Sequence, residues 1–405
     1  MDDNRRYYSL DALRGSMMML GIVLHGSQWY ISEPPGGLPV PTDPSTAYVF
    51  DVIVHFIHSF RMPLFFVLAG FFTSLLVQKR GLRGTYANRG SRILSPLLVS
   101  CLTILPLTML AMIAFMGSAK FNTFQVLPSM EQINILKAEI SAAGMPVDQP
   151  SLGHLWFLYY LLYFYLLIPL CMGLVWLLKK ADADVGKVIA SPLLYIPLVM
   201  YSAATLWAFR GGVLFEGFLF VKPHLPALLY YGSFFVIGYV FHNFRQILVT
   251  FNHSLNGFLG ISVILLPLAI MATANEFAMA DVDPQTHAVA VALNACLTWS
   301  LIYLFMGLFL RFLDYKSPWI LYISNSSYWV YLIHMPIVTM IAWLLLPFDL
   351  PALIKFPIVV LSTTLICFSS YHYWIQDSWV SQLLNGVRFN HAWPWQENAA
   401  SNVAK

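Results

Sequence analysis

The sequence predicts an all-α fold, a polytopic bundle of about ten transmembrane helices with both termini cytoplasmic. Three observations carry that prediction. The chain is 59% hydrophobic and 10% charged, with a mean hydropathy of +0.68. Soluble domains are about 25% charged, so this composition cannot coat a soluble surface. The apolar residues also fall in runs of about 20, the length a helix needs to cross the hydrocarbon core. Finally, lysine and arginine are unequally shared between alternate connections. The net charge of +3 implies no polyanion, hence no nucleic-acid partner. Cys101, Cys171, Cys296 and Cys367 stand singly in apolar segments. They form neither a disulfide framework nor a metal site.

The expected spans are 10–30, 49–77, 93–115, 154–178, 188–208, 225–243, 254–275, 285–310, 318–346 and 353–376. The first reads as a retained anchor. Asp2, Asp3 and Asp11 sit where a cleavable signal would be basic, and no small-residue cleavage site follows. The second and ninth are long enough to tilt or kink. With the N-terminus inside, fifteen lysines and arginines fall in inner segments, densest from Lys79 to Arg92. Five fall in outer segments: Lys120, Lys137, Arg210, Lys222 and Lys355. The longest connection, about 116–152, is external. Its Met130, Ile133, Leu136 and Ile140 recur at helical spacing. That segment is a surface helix, either packed on the bundle or acting as a lid. The tail after Arg388 is polar and expected to be disordered.

Ionisable groups inside spans carry the functional signal, because each costs a few kcal/mol or more at the bilayer centre. In "RGSMMMLGIVLH", Arg14 and His25 are eleven positions apart. Eleven steps of about 100° return to one helical face, about 16 Å further along the axis. Arg14 therefore lies near the inner mouth, and His25 lies past the midplane on the same stripe. On the second span Asp51, His55 and His58 form another stripe, at i, i+4 and i+7. Arg61 follows nearer the midplane. From depth alone, Asp51 or His55 is expected to orient His25, and Arg61 has Asp51 as an alternative ionic partner. Asp11 is likewise an alternative partner for Arg14. Arg89 and Arg92 mark the inner entry to the third span. His154 and Trp156 open the fourth at its outer end. Asn325 and Ser326 are shallow on the inner side of the ninth span, with Tyr331, His334 and Pro336 deeper.

These residues carry a resemblance. "SLDALRG" followed by Arg14-x10-His25 resembles the signature of the acyltransferase-3 family of integral membrane acyltransferases. "HSFRMPLFFVLAGFF", "NRGSRILSP", "HLWFL" and "NSSYWVYLIHMPI" are similar, in order, to four further family blocks. One departure is Ala69-Gly70, where the family commonly has Ser-Gly. The wording of the second and fourth blocks is closest to a branch linked to succinylation of osmoregulated periplasmic glucans. The resemblance implies one transmembrane acyltransferase domain over 1–380, then a polar cytoplasmic tail over 381–405. It also implies a bacterial inner-membrane location, acyl-CoA (succinyl-CoA) as co-substrate, a periplasmic glycan acceptor, and homo-oligomers or glucan-synthesis partners.

Chemistry can be set beside the resemblance. Acyl-CoA is cytosolic and polyanionic, whereas the acceptor is external, so the thioester must reach across the membrane. Arg89 and Arg92 suit CoA phosphates, since arginine binds phosphate bidentately, and Asn325 and Ser326 lie at the same mouth. His25 is the candidate general base for a sugar hydroxyl. An acyl-histidine intermediate is the alternative. Arg14 and Arg61 are assigned with it to the catalytic path. Arg61 binds either the distal carboxylate of a succinyl donor or the tetrahedral oxyanion. His154, Trp156 and His58 are expected near the acceptor, and His334 and Tyr331 are further candidates. The competing readings are O-acetylation of another surface glycan, a secondary transporter, and an export partner without chemistry. Transporters usually place such groups on broken helices in two related halves, and no repeat between halves is evident.

Overall fold

The computed structural model describes residues 6–33, 41–142, 149–181, 184–214, 221–389 and 393–396. Helices build the whole fold, and no strand forms among the described residues. Helix α1 is Tyr8–Ser27, and α2 runs 42 residues from Tyr48 to Arg89. A π-helical turn, Gly90–Leu94, leads into α3 (Ser95–Leu102) and α4 (Ile104–Phe121). Then come α5 (Met130–Ala142), α6 (Trp156–Leu166), α7 (Ile168–Ala181), α8 (Val185–Ile189) and α9 (Tyr195–Leu206). The remainder is α10 (Leu225–Asn243), α11 (Ile247–His253), α12 (Leu255–Ala278), α13 (Pro284–Phe312), α14 (Pro318–Leu345), α15 (Ala352–Ser370) and α16 (Trp379–Asn385). Local chemistry sets several of these starts. Asp283 caps α13 by accepting from the amides of Gln285 and Thr286, with Pro284 in the first turn.

Among the described residues, seven helical segments are long and apolar enough to cross a membrane, or eight if the pair α6–α7, bent by 53°, is one span. This is a multi-pass membrane protein, with fewer such segments than the ten expected. Two expected spans fall short for different reasons. Helix α9 has only 12 residues. Helix α1 has 20, but Asp11, Arg14, Ser16 and His25 dilute its apolarity. It packs among α2, α13, α14 and α15, and a helix shielded from lipid tolerates such groups. The inner connection expected at 78–92 is itself helical, broken only at Gly81, where φ is +66°. The third span is split at Thr103 and extends to Phe121.

Close backbone contact fixes the bundle's centre. A Cβ on Gly70 would lie 1.9 Å from the carbonyl oxygen of Phe235, and one on Gly238 would lie 1.9 Å from that of Val67. Helices α2 and α10 therefore meet backbone to backbone, which only glycine permits. Helices α1 and α14 run parallel. Gly15 faces Ile323 and Ser324, Gly21 faces His334, and Gly26 faces Val338. That direction agrees with their odd positions in the expected span order.

Three peripheral features correct or refine the sequence reading. Lys355, expected in an outer loop, is 2% exposed and bridges both carboxylate oxygens of Asp43, at 3.0 and 2.8 Å. It is a core ion pair and not a loop charge. The tail is not free after Arg388: Trp393 stacks on His372 with ring centroids 3.6 Å apart, and Trp395 stacks on Trp393. Residues 390–392 and 397–405 lie outside the described residues. Helix α5 forms as expected, with Leu136 buried and Lys120 paired to Glu139 at 2.8 Å.

Candidate active site

The parallel pairing of α1 and α14 carries His25 to His334. Their ring centroids are 5.3 Å apart. A third imidazole, His154, stands 5.6 Å from His334. It enters from the short turn Gly153–Leu155 that opens α6. Gly153 takes φ +50° there, a conformation that suits glycine. The hydroxyl of Tyr331 donates to the His154 carbonyl over 2.7 Å and fixes that turn against α14.

Proline chemistry dictates how two of these groups sit. Pro336 lies inside α14 and has no N–H for the carbonyl of Leu332, four residues back. His154 Nε2 fills that place, donating to the Leu332 carbonyl over 2.9 Å. Pro63 in α2 likewise frees the Ser59 carbonyl, and the Thr298 hydroxyl donates to it over 2.7 Å. In a membrane such groups must be met from neighbouring helices.

The same contacts assign the tautomers. A carbonyl only accepts, so the ring nitrogen facing it carries the proton. His154 is protonated at Nε2. His334 is protonated at Nδ1, which faces the carbonyls of Tyr331 and Val330 at 2.8 and 3.1 Å. Each ring then keeps one lone pair, at His154 Nδ1 and His334 Nε2. Both atoms are buried without a hydrogen-bond partner. His25 is half-buried, with Nδ1 2.8 Å from Gln28 Oε1. That bond leaves Nε2 as its basic nitrogen.

Arg61 sits between the two ends of the α1 stripe. Its Nε donates to the Met17 carbonyl over 3.2 Å. A Cβ on Gly21 would come within 3.0 Å of Arg61 Nη2 and 3.4 Å of His334 Nε2. Guanidinium and imidazole thus share one small space, opened by a glycine. Arg61 is 5% exposed.

The opposite end of the stripe is cationic. Arg14 Nη2 donates to Ser324 Oγ over 2.7 Å and lies 3.4 Å from Asp11. One turn along α14, the Tyr328 hydroxyl donates to the Arg92 carbonyl over 2.8 Å. Helix α14 therefore ties Arg14 and Arg92 to one edge. Arg89, Arg80 and Arg14 all lie near enough for their charge to act on Arg92. The C-terminus of α16 closes over this group, with Gly386 against the Arg92 guanidinium. An arginine cluster and a histidine cluster thus stand at the two ends of the Arg14–His25 stripe on α1.

Comparison with known proteins decides what kind of molecule this is. The acyltransferase domain model of the acyltransferase-3 family matches residues 7–372. The chain belongs to that family. Among curated proteins this acyltransferase is similar to the glucans biosynthesis protein C of Salmonella paratyphi B, Salmonella dublin and Salmonella enteritidis. Each is 23% identical over 348 residues, covering 82% of both chains. No solved structure gives a significant match. Family membership favours an acyltransferase over the transporter and export readings.

Several expected site residues of this acyltransferase lie elsewhere. Asp51 does not reach His25 or Arg61; it accepts from the backbone amides of Ser32 and Glu33 at 2.9 and 3.0 Å. His55 turns to α13, with Nε2 3.1 Å from Asn294 Oδ1. His58 lines a small cleft with Ser59, Asn294, Thr298, Tyr230 and Tyr231. Helical phase explains the split. Arg61 is ten positions beyond Asp51, about 80° off the Asp51–His58 stripe, so the two sets face different neighbours. Trp156 is 5% exposed and packs on Tyr160 and Tyr231. The Ser326 hydroxyl turns back to its own helix, donating to Ile323. Asn325 touches the mouth only through its carbonyl, which accepts from Asn385. Four residues enter unannounced: Gln28, Gly21, Ser324 and Tyr328. Only Gln28 had a signal, at i+3 from His25.

Proposed function

We propose that this acyltransferase moves a succinyl group from cytosolic acyl-CoA to a hydroxyl of a periplasmic glycan, an osmoregulated glucan, across the bacterial inner membrane. The observation that carries this reading is the stripe from the Arg14–Arg92 cluster past Arg61 to His25. A polyanionic donor suits the arginine end. His25, the half-buried imidazole of the three, is the one open to an acceptor. Orientation by lysine and arginine sets the arginine end on the cytoplasmic side, where acyl-CoA is made.

The steps follow from these groups. His25 Nε2 takes the proton from the acceptor hydroxyl as its oxygen attacks the thioester carbonyl. Gln28 holds the Nδ1 proton, so the ring keeps its basic face and stabilises the imidazolium that forms. Arg61 supplies donors to the oxyanion. Collapse forms the ester and releases the CoA thiolate, which takes up the proton. The names of the relatives support the glucan acceptor.

The test uses purified protein, labelled succinyl-CoA and glucan. Labelled ester that disappears in His25→Ala supports the reading. Label accumulating inside vesicles with no ester would overturn it. Mass spectrometry of periplasmic glycans from cells with and without the protein identifies acyl group and acceptor: loss of a succinyl increment from glucans is expected, and loss of an acetyl increment from another glycan would replace both assignments.

A further inference from the structure

The lone pair at His334 Nε2 has no role in the steps above. The residue is 1% exposed and this nitrogen has no hydrogen-bond partner. Its tautomer is fixed from behind by the Tyr331 and Val330 carbonyls, so Nε2 can only accept. A Cβ on Gly21 would lie 3.4 Å from this nitrogen and 3.0 Å from Arg61 Nη2, so imidazole and guanidinium close on the same bare stretch of α1. A second acceptor, His154 Nδ1, is buried in the neighbouring ring. An acceptor left unmet in a buried site costs free energy, so the ligand group that belongs here is a hydrogen-bond donor. A carboxylate has no proton to give and would meet two lone pairs. A group carrying both N–H and C=O satisfies the imidazole and the guanidinium together.

Position narrows the choice. Gly21 precedes His25 by four residues, about 6 Å along the helix, on the side of Arg14. If the thioester carbonyl is at His25, the donor's arm passes Gly21. In a CoA thioester the first polar group of that arm is a secondary amide, two methylenes behind the sulfur. We propose that His334, with Gly21 and Arg61, forms a binding site for this amide: its N–H donates to His334 Nε2 and its carbonyl accepts from the guanidinium. The inference rests on the acyl-CoA reading above and adds a specificity-determining contact, by which the enzyme measures the donor arm and sets the thioester at His25.

The experiment compares two short succinyl donors with the wild-type protein. One is the N-acetylcysteamine thioester, which keeps the amide. The other is its carba analogue, with CH₂ in place of the amide N–H. Wild type should show a kcat/KM lower by about tenfold or more for the carba donor, the scale of a buried polar group left unpaired. In His334→Phe the two donors should differ by less than about threefold, with turnover of the carba donor serving as the check on folding. Gly21→Ala keeps the imidazole but fills the space, and should also erase the preference. Equal kcat/KM in the wild type overturns the proposal, as does a full preference surviving in either variant that turns over. Absence of transfer from every thioester, CoA included, overturns the acyl-CoA reading and this contact with it. Transfer without preference overturns this contact alone.

Discussion

His154 and Pro336 meet at one carbonyl. The proline leaves Leu332 without its helical N–H, and His154 Nε2 donates to it over 2.9 Å. A backbone defect in α14 therefore fixes the tautomer and orientation of an imidazole on another segment, in contact with His334. Proline and histidine, 182 positions apart, act as one structural unit.

Pro336→Ala should separate these effects. Alanine restores the N–H and competes with His154 for Leu332. Turnover should fall by about five- to tenfold, the scale of one lost positioning hydrogen bond. Thermal stability in detergent should hold or rise, because α14 gains a helical bond. A loss of turnover matched by a loss of stability would assign Pro336 to folding alone.

His25→Ala should lower kcat by about 10²–10⁴, the usual contribution of a positioned general base. Gln28→Ala should lower it by about tenfold, as the Nδ1 proton loses its acceptor while the ring stays. Single-turnover kinetics with a radiolabelled donor reads both. Accumulation of labelled protein in the wild type would favour an acyl-histidine over direct attack.

Arg61 offers a test between two readings. The sequence leaves it as counter-ion to a succinyl carboxylate or as oxyanion donor. In the structure its Nη2 and the lone pair of His334 border the same space, a poor seat for the succinyl carboxylate. Arg61→Ala should therefore reduce transfer from succinyl-CoA and acetyl-CoA alike, by about 10²–10³. A loss confined to succinyl-CoA would restore the carboxylate role.

Periodicity explains which parts were legible. The Arg14–His25 stripe needs only 3.6 residues per turn, and α1 runs unbroken through both. The depth of Arg61 followed from rise per residue, and its neighbours Met17 and Gly21 lie between Arg14 and His25. Partners were another matter. His334 and His154 reach His25 through the pairing of α1 with α14 and a turn at Gly153, and no helical period encodes which helices touch. Asp51 turns to the Ser32–Glu33 loop and His55 to α13, so neither reaches His25. The structure departs from the ten expected spans at α1, which is too polar, and at α9, which is too short, to qualify by length and apolarity. Lys355 misled because a buried ion pair reads as a loop charge.

The Asp43–Lys355 pair should dominate local stability at the start of α15. Asp43 is 1% exposed, accepts the Ser45 amide at 2.9 Å, and ties the segment before α2 to α15. Lys355→Met strands a buried carboxylate and should destabilise by about 3–5 kcal/mol. The double variant Asp43→Asn, Lys355→Met should recover most of that loss. Thermal unfolding in detergent measures both; a double variant no better than Lys355→Met would show that packing, and not charge, is at stake.

Gly386→Ala tests the arginine end from outside the matched domain. Gly386 ends α16 with φ +75°, and a Cβ there would lie 1.3 Å from Arg92 Nη2 and 2.3 Å from its Cζ. The methyl group cannot be accommodated without moving the guanidinium. Arg92 would have to move, while Ser324 holds Arg14 independently. The expected result is a KM for acyl-CoA raised by about tenfold with kcat little changed, because binding energy at a phosphate is lost equally from ground and transition states. Arg92→Ala should raise KM as much, and the pair together no further, since both act through one guanidinium. An unchanged KM in Gly386→Ala would mean that Arg92 does not hold the donor, and would leave Arg14, Arg80 and Arg89 to carry the phosphates.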